Sequence, residues 1–331
     1  MSFAQPYSAR KAVVDSVEVV KLADSARNIE VTIVPSVGNM AYEMNVNGKN
    51  VFWMPSQSLS AFKAKPPLAG NPFLGPWANR IEGDAFWANG KKYVFNLELG
   101  NIRRDQNRNP IHGFLTYSPH WEVTALESNE RYAAVTSRLE FWRYPDYMAQ
   151  FPFAHTLEMT YRLQDGALEV ATRIENFSNE PMPVAIGYHP YFQILDAPRD
   201  EWKVHIPARD HLTLSKALIP TGERTPVSYA DQQPLAGIQF DDVFTNLVRD
   251  ANGRAEFWVQ GARQKISVIY GPKYTVAVIY APPQRNFICF EPMAAITNAF
   301  NLAHSGVYKE LQSIPPRGVW QESYWIKPSG F

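Results

Sequence analysis

Two neighbouring segments with alternating apolar and polar residues constrain the fold of this chain more than any other feature. Residues 155–164 (HTLEMTYRLQ) and 167–175 (ALEVATRIE) place apolar side chains at every second position. Asp165-Gly166 lies between them, and such a pair tolerates the positive φ angles of a tight hairpin turn. A period of two with one buried face predicts two paired antiparallel strands.

The same turn chemistry recurs along the chain. Asn-Gly pairs at 47–48, 89–90 and 252–253 lie between β-prone runs, and each predicts antiparallel pairing of its flanks. The segments 265–270 and 274–280, which flank a Gly-Pro turn, predict one further pair.

Helical signals are scarce by comparison. Only residues 299–311 have a spacing compatible with a turn or two of helix, and the 26 prolines disfavour long helices. Although 331 residues would suggest two domains, all-β chains often form one domain of this size, and no linker or short repeat divides the sequence. We therefore predict an all-β fold, a large antiparallel β-sandwich with residues 1–331 in a single domain.

Charge and cysteine content restrict the possible partners and location. Lys plus Arg and Asp plus Glu each number 32, and this balance argues against a broad nucleic-acid or membrane surface. No apolar stretch has the length of a membrane span, and we expect no signal peptide. The single cysteine, Cys289, has no partner for an internal disulfide and is predicted to be a buried structural thiol. We expect a cytoplasmic monomer or homodimer.

Motifs for several common chemistries are missing from the sequence. There is no HExxH motif, no closely spaced Cys/His cluster and no acidic calcium loop, so we expect no bound metal. There is also no P-loop, GxGxxG fingerprint or GxSxG elbow, which leaves nucleotide and serine-hydrolase chemistry without support. We expect no cofactor.

Two of the seven histidines stand in unusual surroundings. His112 in NPIHGFL precedes a glycine that permits close approach of backbone or ligand. His189 in IGYHPYF is surrounded by aromatic residues, Tyr191 among them. Rings beside a polar group suit a sugar, which offers both C–H faces and hydroxyls. A buried aromatic cluster with a hydrogen-bonded histidine is the alternative interpretation.

Glu291, Asp241 and Arg80 are the charged candidates. Glu291 in NFICFEPM follows an apolar run, so we expect its carboxylate to emerge where a buried strand leaves the core. Apolar walls raise the pKa of a carboxyl group, which suits a general base. Asp241 lies in QFDDVF and Arg80 in GPWANRIEGD, and neither is diagnostic alone.

Taken together, these motifs resemble the aldose 1-epimerase family, whose members share a large antiparallel β-sandwich. The resemblance rests on five segments in family order and on the closing IPPRGVWQESYWIKP. The five segments are GPWANRIEGDAFWANGKKYVFN, NPIHGF, YHPYF, QFDDVF and ICFEP. This likeness spans nearly the whole chain and implies an isomerase that interconverts the α and β anomers of a free hexose.

The resemblance also implies individual roles. Glu291 would be the general base for the anomeric hydroxyl, and His189 the general acid for the ring oxygen. His112 would hold oxygens around the reacting centre together with Arg80. The remaining substrate-binding residues would be Asn79, Tyr191 and Asp241.

Three positions depart from the family pattern. Tyr188 and Asp242 stand where asparagine and histidine are frequent, and Phe114 replaces a second glycine after His112. We expect these positions to border the sugar and to affect the choice between galactose and glucose.

Two other functions stay open from sequence. Arg103, Arg104 and Arg108 precede His112 and would suit a phosphorylated sugar, as in hexose-6-phosphate mutarotases. Alternatively, these arginines form a solvated loop balanced by Asp105. The third possibility is a non-catalytic carbohydrate-binding protein on the same fold.

Overall fold

The computed structural model describes residues 5–331. Nearly half of the chain, 48%, lies in strands and only 8% in helices. The strands are β1 (Tyr7–Val14), β2 (Val17–Asp24), β3 (Ile29–Val34), β4 (Met40–Val46), β5 (Lys49–Asn50), β6 (Phe73–Leu74), β7 (Ala85–Ala88), β8 (Lys91–Val94), β9 (Glu122–Ser128), β10 (Ala133–Glu140), β11 (His155–Gln164), β12 (Ala167–Asn176), β13 (Met182–Val184), β14 (Gly187–Tyr188), β15 (Tyr191–Phe192), β16 (Lys203–His205), β17 (Ala208–Leu214), β18 (Pro220–Pro226), β19 (Gln233–Pro234), β20 (Phe240–Leu247), β21 (Ala255–Gln260), β22 (Lys265–Tyr270), β23 (Val276–Ala281), β24 (Ile288–Met293), β25 (Gln312–Ile314) and β26 (Val319–Ser329).

Helices are short. The three α-helices are α1 (Leu59–Ala64), α2 (Pro145–Gln150) and α3 (Ala299–His304), and three single-turn 3-10 helices cover Leu97–Leu99, Phe141–Arg143 and Arg199–Glu201. Helix α3 is the helical turn expected within residues 299–311, and it ends at His304. Among residues 5–331, no helix combines the length and apolar character needed to cross a membrane.

Two large antiparallel sheets form the sandwich. One has the strand order β19-β16-β21-β22-β26-β12-β11-β10-β9. The other has the order β18-β17-β20-β23-β24-β14-β6, with β15 pairing to β24 beside β14. The rings of Phe257 in β21 and Phe290 in β24 lie 6.0 Å apart between their centroids, so these sheets bury their facing sides against each other. The all-β sandwich predicted from the sequence is confirmed.

Smaller sheets complete the structure. Strands β1 to β5 form a five-stranded antiparallel sheet in chain order, and two two-stranded sheets join β7 to β8 and β13 to β25. The main hydrophobic cluster contains buried residues from β1 through β26, including Leu22, Tyr161 and Ile326. Cys289 is buried, as expected.

Most of the predicted hairpins are confirmed. β11 pairs with β12 around Asp165-Gly166, and β4 pairs with β5 around Asn47-Gly48. β7 pairs with β8 around Asn89-Gly90. In each turn, the Asn or Asp has a φ near 50° and the glycine a φ near 75°. These are the left-handed conformations that such residues adopt most readily.

Two pairing predictions are wrong. The turn at Asn252-Gly253 connects β20 to β21, and these strands lie in different large sheets. Likewise β22 and β23 do not pair with each other; β22 pairs with β21 and β26, while β23 pairs with β20 and β24. Both turns carry the chain from one sheet across to the other. A turn signal marks a change of direction, but it does not fix which strand receives the chain.

Candidate active site

The outer face of the eight-stranded sheet forms the floor of a cavity. Asp241 of β20 pairs with Tyr280 of β23, which pairs in turn with Cys289 of β24. One step along the same face, Val278 pairs with Glu291. Because alternate residues of a strand share a face, Glu291 points away from Phe290, which faces the core. The strand period thus assembles acidic and aromatic side chains on one surface.

His189 faces Glu291 because two short strands keep one register. Gly187 of β14 pairs with Met293, and Tyr191 of β15 pairs with Cys289. His189 lies midway between these pairings, directly opposite Glu291. Its Nε2 atom is 3.2 Å from Oε1 of Glu291, and both side chains are more than 90% buried.

Two crossing loop segments place His112 above this floor. The backbone N–H of His112 donates to Asn79 O at 2.9 Å, and the backbone N–H of Asn79 donates to His112 Nδ1 at 3.3 Å. Because Nδ1 accepts this hydrogen bond, the neutral ring carries its hydrogen on Nε2. A Cβ at Gly113 would lie 2.0 Å from Gly75 O, so only glycine permits this crossing. The glycine of the His-Gly motif is therefore explained by the lack of space for a side chain at this position.

Arg80 is held by a carboxylate beside the cavity. Its Nε donates to Asp105 Oδ2 at 2.7 Å, and both side chains are largely buried. The other oxygen of Asp105 accepts from the backbone N–H groups of Asn107 and Asn109, both at 2.9 Å. This fixed carboxylate orients the guanidinium group by a charge-assisted bond. The expectation that Asp105 balances the arginine cluster is wrong, because Asp105 is committed to Arg80.

The cavity has a volume of about 360 Å³, within the range typical of small-molecule sites. All seven residues singled out from the sequence line it, although they lie far apart along the chain. They are Asn79, Arg80, His112, His189, Tyr191, Asp241 and Glu291. The ring of Tyr191 stacks on that of His189, with 4.6 Å between centroids and 5° between planes, while the rings of His112 and His189 meet nearly at right angles.

Burial sets the protonation of these groups. It raises the pKa of Glu291 well above its ordinary value, and the nearby charge of Asp241 raises it further. Burial lowers the pKa of His189 to about 3 and that of His112 well below its ordinary value. The pKa of Asp241 is also raised by burial. Each shift disfavours the charged form of its group.

These directions describe a pair that shares one proton. A neutral histidine beside a protonated carboxyl group, and a histidinium beside a carboxylate, contain the same number of protons and have no net charge. Burial of both side chains therefore favours the singly protonated pair of His189 and Glu291. The doubly protonated pair and the fully deprotonated pair would each carry a net charge. Nδ1 of His189 and Oε2 of Glu291 are buried without a hydrogen-bond partner within the described chain.

The expected positions of four residues need correction. Glu291 does not stand where its strand leaves the core; it lies inside β24, which is buried throughout, and reaches the cavity because its side of the strand faces outward. The departures from the family pattern do not border the cavity. Tyr188 is fully buried and bonds Thr172, while Asp242 bonds His211. Phe114 packs against Trp77, Phe141 and Tyr147.

The structure divides the arginine cluster. Arg104 is paired with Asp84 at 2.5 Å and donates to the carbonyl of Arg108, whose side chain is exposed. Arg103 is half-buried, lies over the ring of Tyr117 and has no carboxylate partner within residues 5–331. It is close enough to lower the pKa of both His112 and His189. Of the three arginines, Arg103 is therefore the one near both histidines that has no carboxylate partner within the described residues.

Several lining residues were missed by the sequence analysis. They are Leu68, Asp105, Gln106, Ile111, Leu218, Val278 and Tyr280. Val278 and Tyr280 carry a signal that could have found them, since both alternate in VAVIYA on the face that holds Glu291. The loop residues carry none, because their position depends on tertiary contacts. Within residues 5–331, no three His, Cys, Asp or Glu side chains cluster so as to hold a metal ion.

Comparison with known proteins agrees with this architecture. The family model described as aldose 1-epimerase matches residues 20–327. Galactose mutarotases from Homo sapiens and Pongo abelii are each 26% identical over 174 residues, which cover 51% of this chain and 46% of theirs. The matched segment thus spans about half the length of these curated relatives.

Solved structures show the fold over the full length. A galactose mutarotase-like protein from Clostridium acetobutylicum superposes with a TM-score of 0.87 at 22% identity, covering 99% of this chain and 100% of its own. A galactose 1-epimerase from Lactobacillus acidophilus superposes with a TM-score of 0.73 at 15% identity, covering 98% and 99%. The family model covers nearly all of the sequence, and this confirms membership in a family of isomerases. The chain belongs to the aldose 1-epimerase family.

Proposed function

We propose that this protein interconverts the α and β anomers of a free hexose, with Glu291 and His189 as the catalytic base and acid. The observation that supports this most is the buried pair itself, 3.2 Å apart and open to a hexose-sized cavity. Ring opening of a sugar removes a proton from the anomeric hydroxyl and adds one to the ring oxygen. A pair that holds one proton supplies both transfers.

The reaction begins from the state with a carboxylate on Glu291 and a proton on His189. Glu291 takes the proton of the anomeric hydroxyl, His189 gives its proton to the ring oxygen, and the bond between the ring oxygen and C1 breaks. The product is an open aldehyde with a hydroxyl at C5. Rotation about the C1–C2 bond and reclosure by the reverse transfers give the other anomer. Each positioned group typically contributes about 10²–10⁴-fold to the rate.

The pair ends ring opening as a protonated Glu291 beside a neutral His189. This is the same singly protonated pair with its proton on the other partner. The reverse step restores the first state, so a full cycle needs no proton from solvent. The two groups lie close together and are buried, which suits proton transfers that take place only between this pair and the sugar.

Other cavity residues position the sugar. We propose that His112 donates its Nε2–H to a sugar oxygen, because its Nδ1 already accepts from Asn79. Arg80, oriented by Asp105, donates to oxygens near the reacting centre. Asp241 accepts from sugar hydroxyls, and Tyr191 offers an apolar ring to a C–H face.

A phosphorylated hexose is the second candidate substrate. The specific observation in its favour is Arg103, whose guanidinium group is half-buried near both histidines and lacks a carboxylate partner within the described residues. Against it, Arg104 is already paired with Asp84. We propose the neutral hexose as the main substrate and the phosphorylated sugar as the alternative.

Saturation-transfer NMR tests this function directly, because it measures the exchange between anomers at equilibrium. D-Galactose, D-glucose and their 6-phosphates form the panel, and buffer alone gives the spontaneous rate. The proposal predicts protein-dependent exchange for at least one neutral hexose. Binding without any acceleration would instead favour a non-catalytic carbohydrate-binding protein.

We also propose that residues 1–331 form one domain. The main hydrophobic cluster draws on β1 at one end of the described chain and β26 at the other, which supports this organisation.

A further inference from the structure

A second cavity lies apart from the catalytic one, over one face of the five-stranded sheet β1–β5. Its volume is about 330 Å³, again within the range of small-ligand sites. The two cavities share no lining residue. The lining of the second is mostly polar and consists of hydroxyl groups, amides, two carboxylates and one ammonium group, together with a few apolar side chains.

A β-bulge directs two adjacent residues into this cavity. The pairing of β3 with β4 shifts by one residue, so Thr32 lies opposite Glu43 while Ile33 lies opposite Ala41. Tyr42 is therefore the extra residue, and it lines the same cavity as Glu43. Without the bulge, consecutive residues would point to opposite faces. Bulges commonly re-aim side chains in this way next to functional sites.

Tyr42 brings a phenol to the lining of the cavity. Its side chain is 95% buried and its ring packs edge-on against Phe62 at 5.0 Å. Within residues 5–331, its hydroxyl makes no hydrogen bond and keeps access to solvent, because it is not among the fully buried polar atoms. Burial raises its pKa to about 12, so the hydroxyl stays protonated and able to donate. Oγ1 of Thr32, beside it, is also without a partner. Because buried polar groups are nearly always paired, the Thr32 hydroxyl points to a ligand from outside the chain, and the Tyr42 hydroxyl is available to the same ligand.

The lining selects the class of that ligand. Asp15 and Glu43 repel anions, and the one cation, Lys21, is engaged by Glu30 at 2.5 Å. Hydroxyls and amides that donate and accept, together with carboxylates that accept, match a molecule with many hydroxyl groups. We propose that this cavity is a binding site for a neutral sugar or polyol, separate from the catalytic cavity.

The new site adjoins the catalytic one through shared backbone. Trp53 N–H donates to Tyr191 O at 2.9 Å, and Gln193 N–H donates to Val51 O at 3.1 Å. Tyr191 lines the catalytic cavity, whereas Gln193 lines the second one. The two sites are therefore neighbours with different lining. The proposal does not depend on the catalytic chemistry.

Hydrogen–deuterium exchange with mass spectrometry locates binding at each site separately. D-Galactose, D-glucose and xylitol serve as probes; xylitol cannot form a ring and so is no substrate. We expect at least one probe to slow exchange in residues 54–59, saturably. Tyr42→Phe keeps the ring but removes the hydroxyl, and should raise the half-saturating concentration about fivefold. Anomer exchange should be unchanged in this variant.

Tyr132→Phe is the matched control, because the Tyr132 hydroxyl is an exposed partner of Glu127 far from this cavity. This control should leave the protection of residues 54–59 unchanged. If Tyr42→Phe unfolds, Glu43→Gln replaces it as the test variant and should weaken the same protection. Absence of saturable protection at 54–59 with all three probes overturns the proposal. So does protection that is equal in the wild type, Tyr42→Phe and Glu43→Gln. Protection of residues 105–112 and anomer exchange report on the catalytic cavity. A failure of the proposed function therefore appears in these two measurements, and a failure of the second site appears in residues 54–59.

Discussion

His189 and Glu291 face each other because Gly187–Met293 and Tyr191–Cys289 pair in one register on either side of them. The resulting Nε2–Oε1 distance is 3.2 Å. A strand register is set by many backbone hydrogen bonds, so this separation is built into the sheet rather than into a loop. The sheet thereby holds an imidazole and a carboxyl group together as one buried pair, the unit that we propose carries a single proton.

The pH profile of the reaction should reflect this unit. Burial lowers the pKa of His189 to about 3 and raises that of Glu291 well above its ordinary value. The pair gains a second proton only at low pH and loses its only proton well above the pKa of a free carboxyl group. We expect the acid limb of kcat/KM to lie well below the free-histidine value of about 6.5. Saturation-transfer rates, corrected for the spontaneous reaction, give the profile. A limb centred at the free-histidine value would contradict a buried shared proton.

His189→Asn removes the proposed acid while keeping a polar side chain of similar size. We expect anomer exchange to fall at least about a hundredfold, because asparagine has no comparably acidic proton. Circular dichroism should show an unchanged fold. His205→Asn is the control, since His205 lies in β16 of the other large sheet. Unfolding of His189→Asn would assign His189 a structural role, and retained activity would move the acid elsewhere, with His112 next.

Local patterns were sufficient to predict the sandwich and the residue types of the site. Strict alternation in β11 and β12 with a Gly turn fixes a hairpin, because the partner strand is adjacent in sequence. The motifs around His112 and Glu291 are similarly local. Both turns between the large sheets were misassigned because each joins strands of different sheets: β21 pairs with β16 and β22, whereas β20 pairs with β17 and β23.

Tertiary contacts also explain what the sequence analysis missed in the site. Asp105 is reserved for Arg80 only because the loop at 105–111 folds back beside it. Tyr188 was expected beside the sugar, but the alternation of β14 turns it into the core. Neighbouring residues in a motif can therefore serve opposite faces of one sheet. The cytoplasmic location and the oligomeric state stay predictions.

Asp105→Asn tests whether this carboxylate positions Arg80. Asparagine can still accept from the backbone of 107 and 109 but loses the charge that binds the guanidinium group. We expect KM for the hexose to rise about tenfold with a smaller change in kcat, because a charge-assisted bond typically contributes about 1.5–3 kcal/mol. Steady-state kinetics separate the two parameters. Thermal unfolding serves as the stability check, and an unchanged KM would remove Asp105 from substrate positioning.

Arg103→Ala distinguishes the two substrate classes. If Arg103 binds a phosphate, the variant should lose about tenfold in kcat/KM for hexose 6-phosphates and little for neutral hexoses. Arg104→Ala is the matched control, because Arg104 is already paired with Asp84. Equal effects of Arg103→Ala on both sugar classes would assign Arg103 to the loop rather than to the substrate.

Anomer exchange by Glu291→Gln is the most direct measurement of the central claim. Glutamine keeps the size and polarity of the side chain but cannot take a proton from the anomeric hydroxyl. We expect a rate lower by about two to four orders of magnitude, with the fold and the sugar affinity retained. Glu256→Gln, a change at a half-exposed carboxylate of β21, should leave the rate unchanged. Near-normal exchange in folded Glu291→Gln would contradict the account.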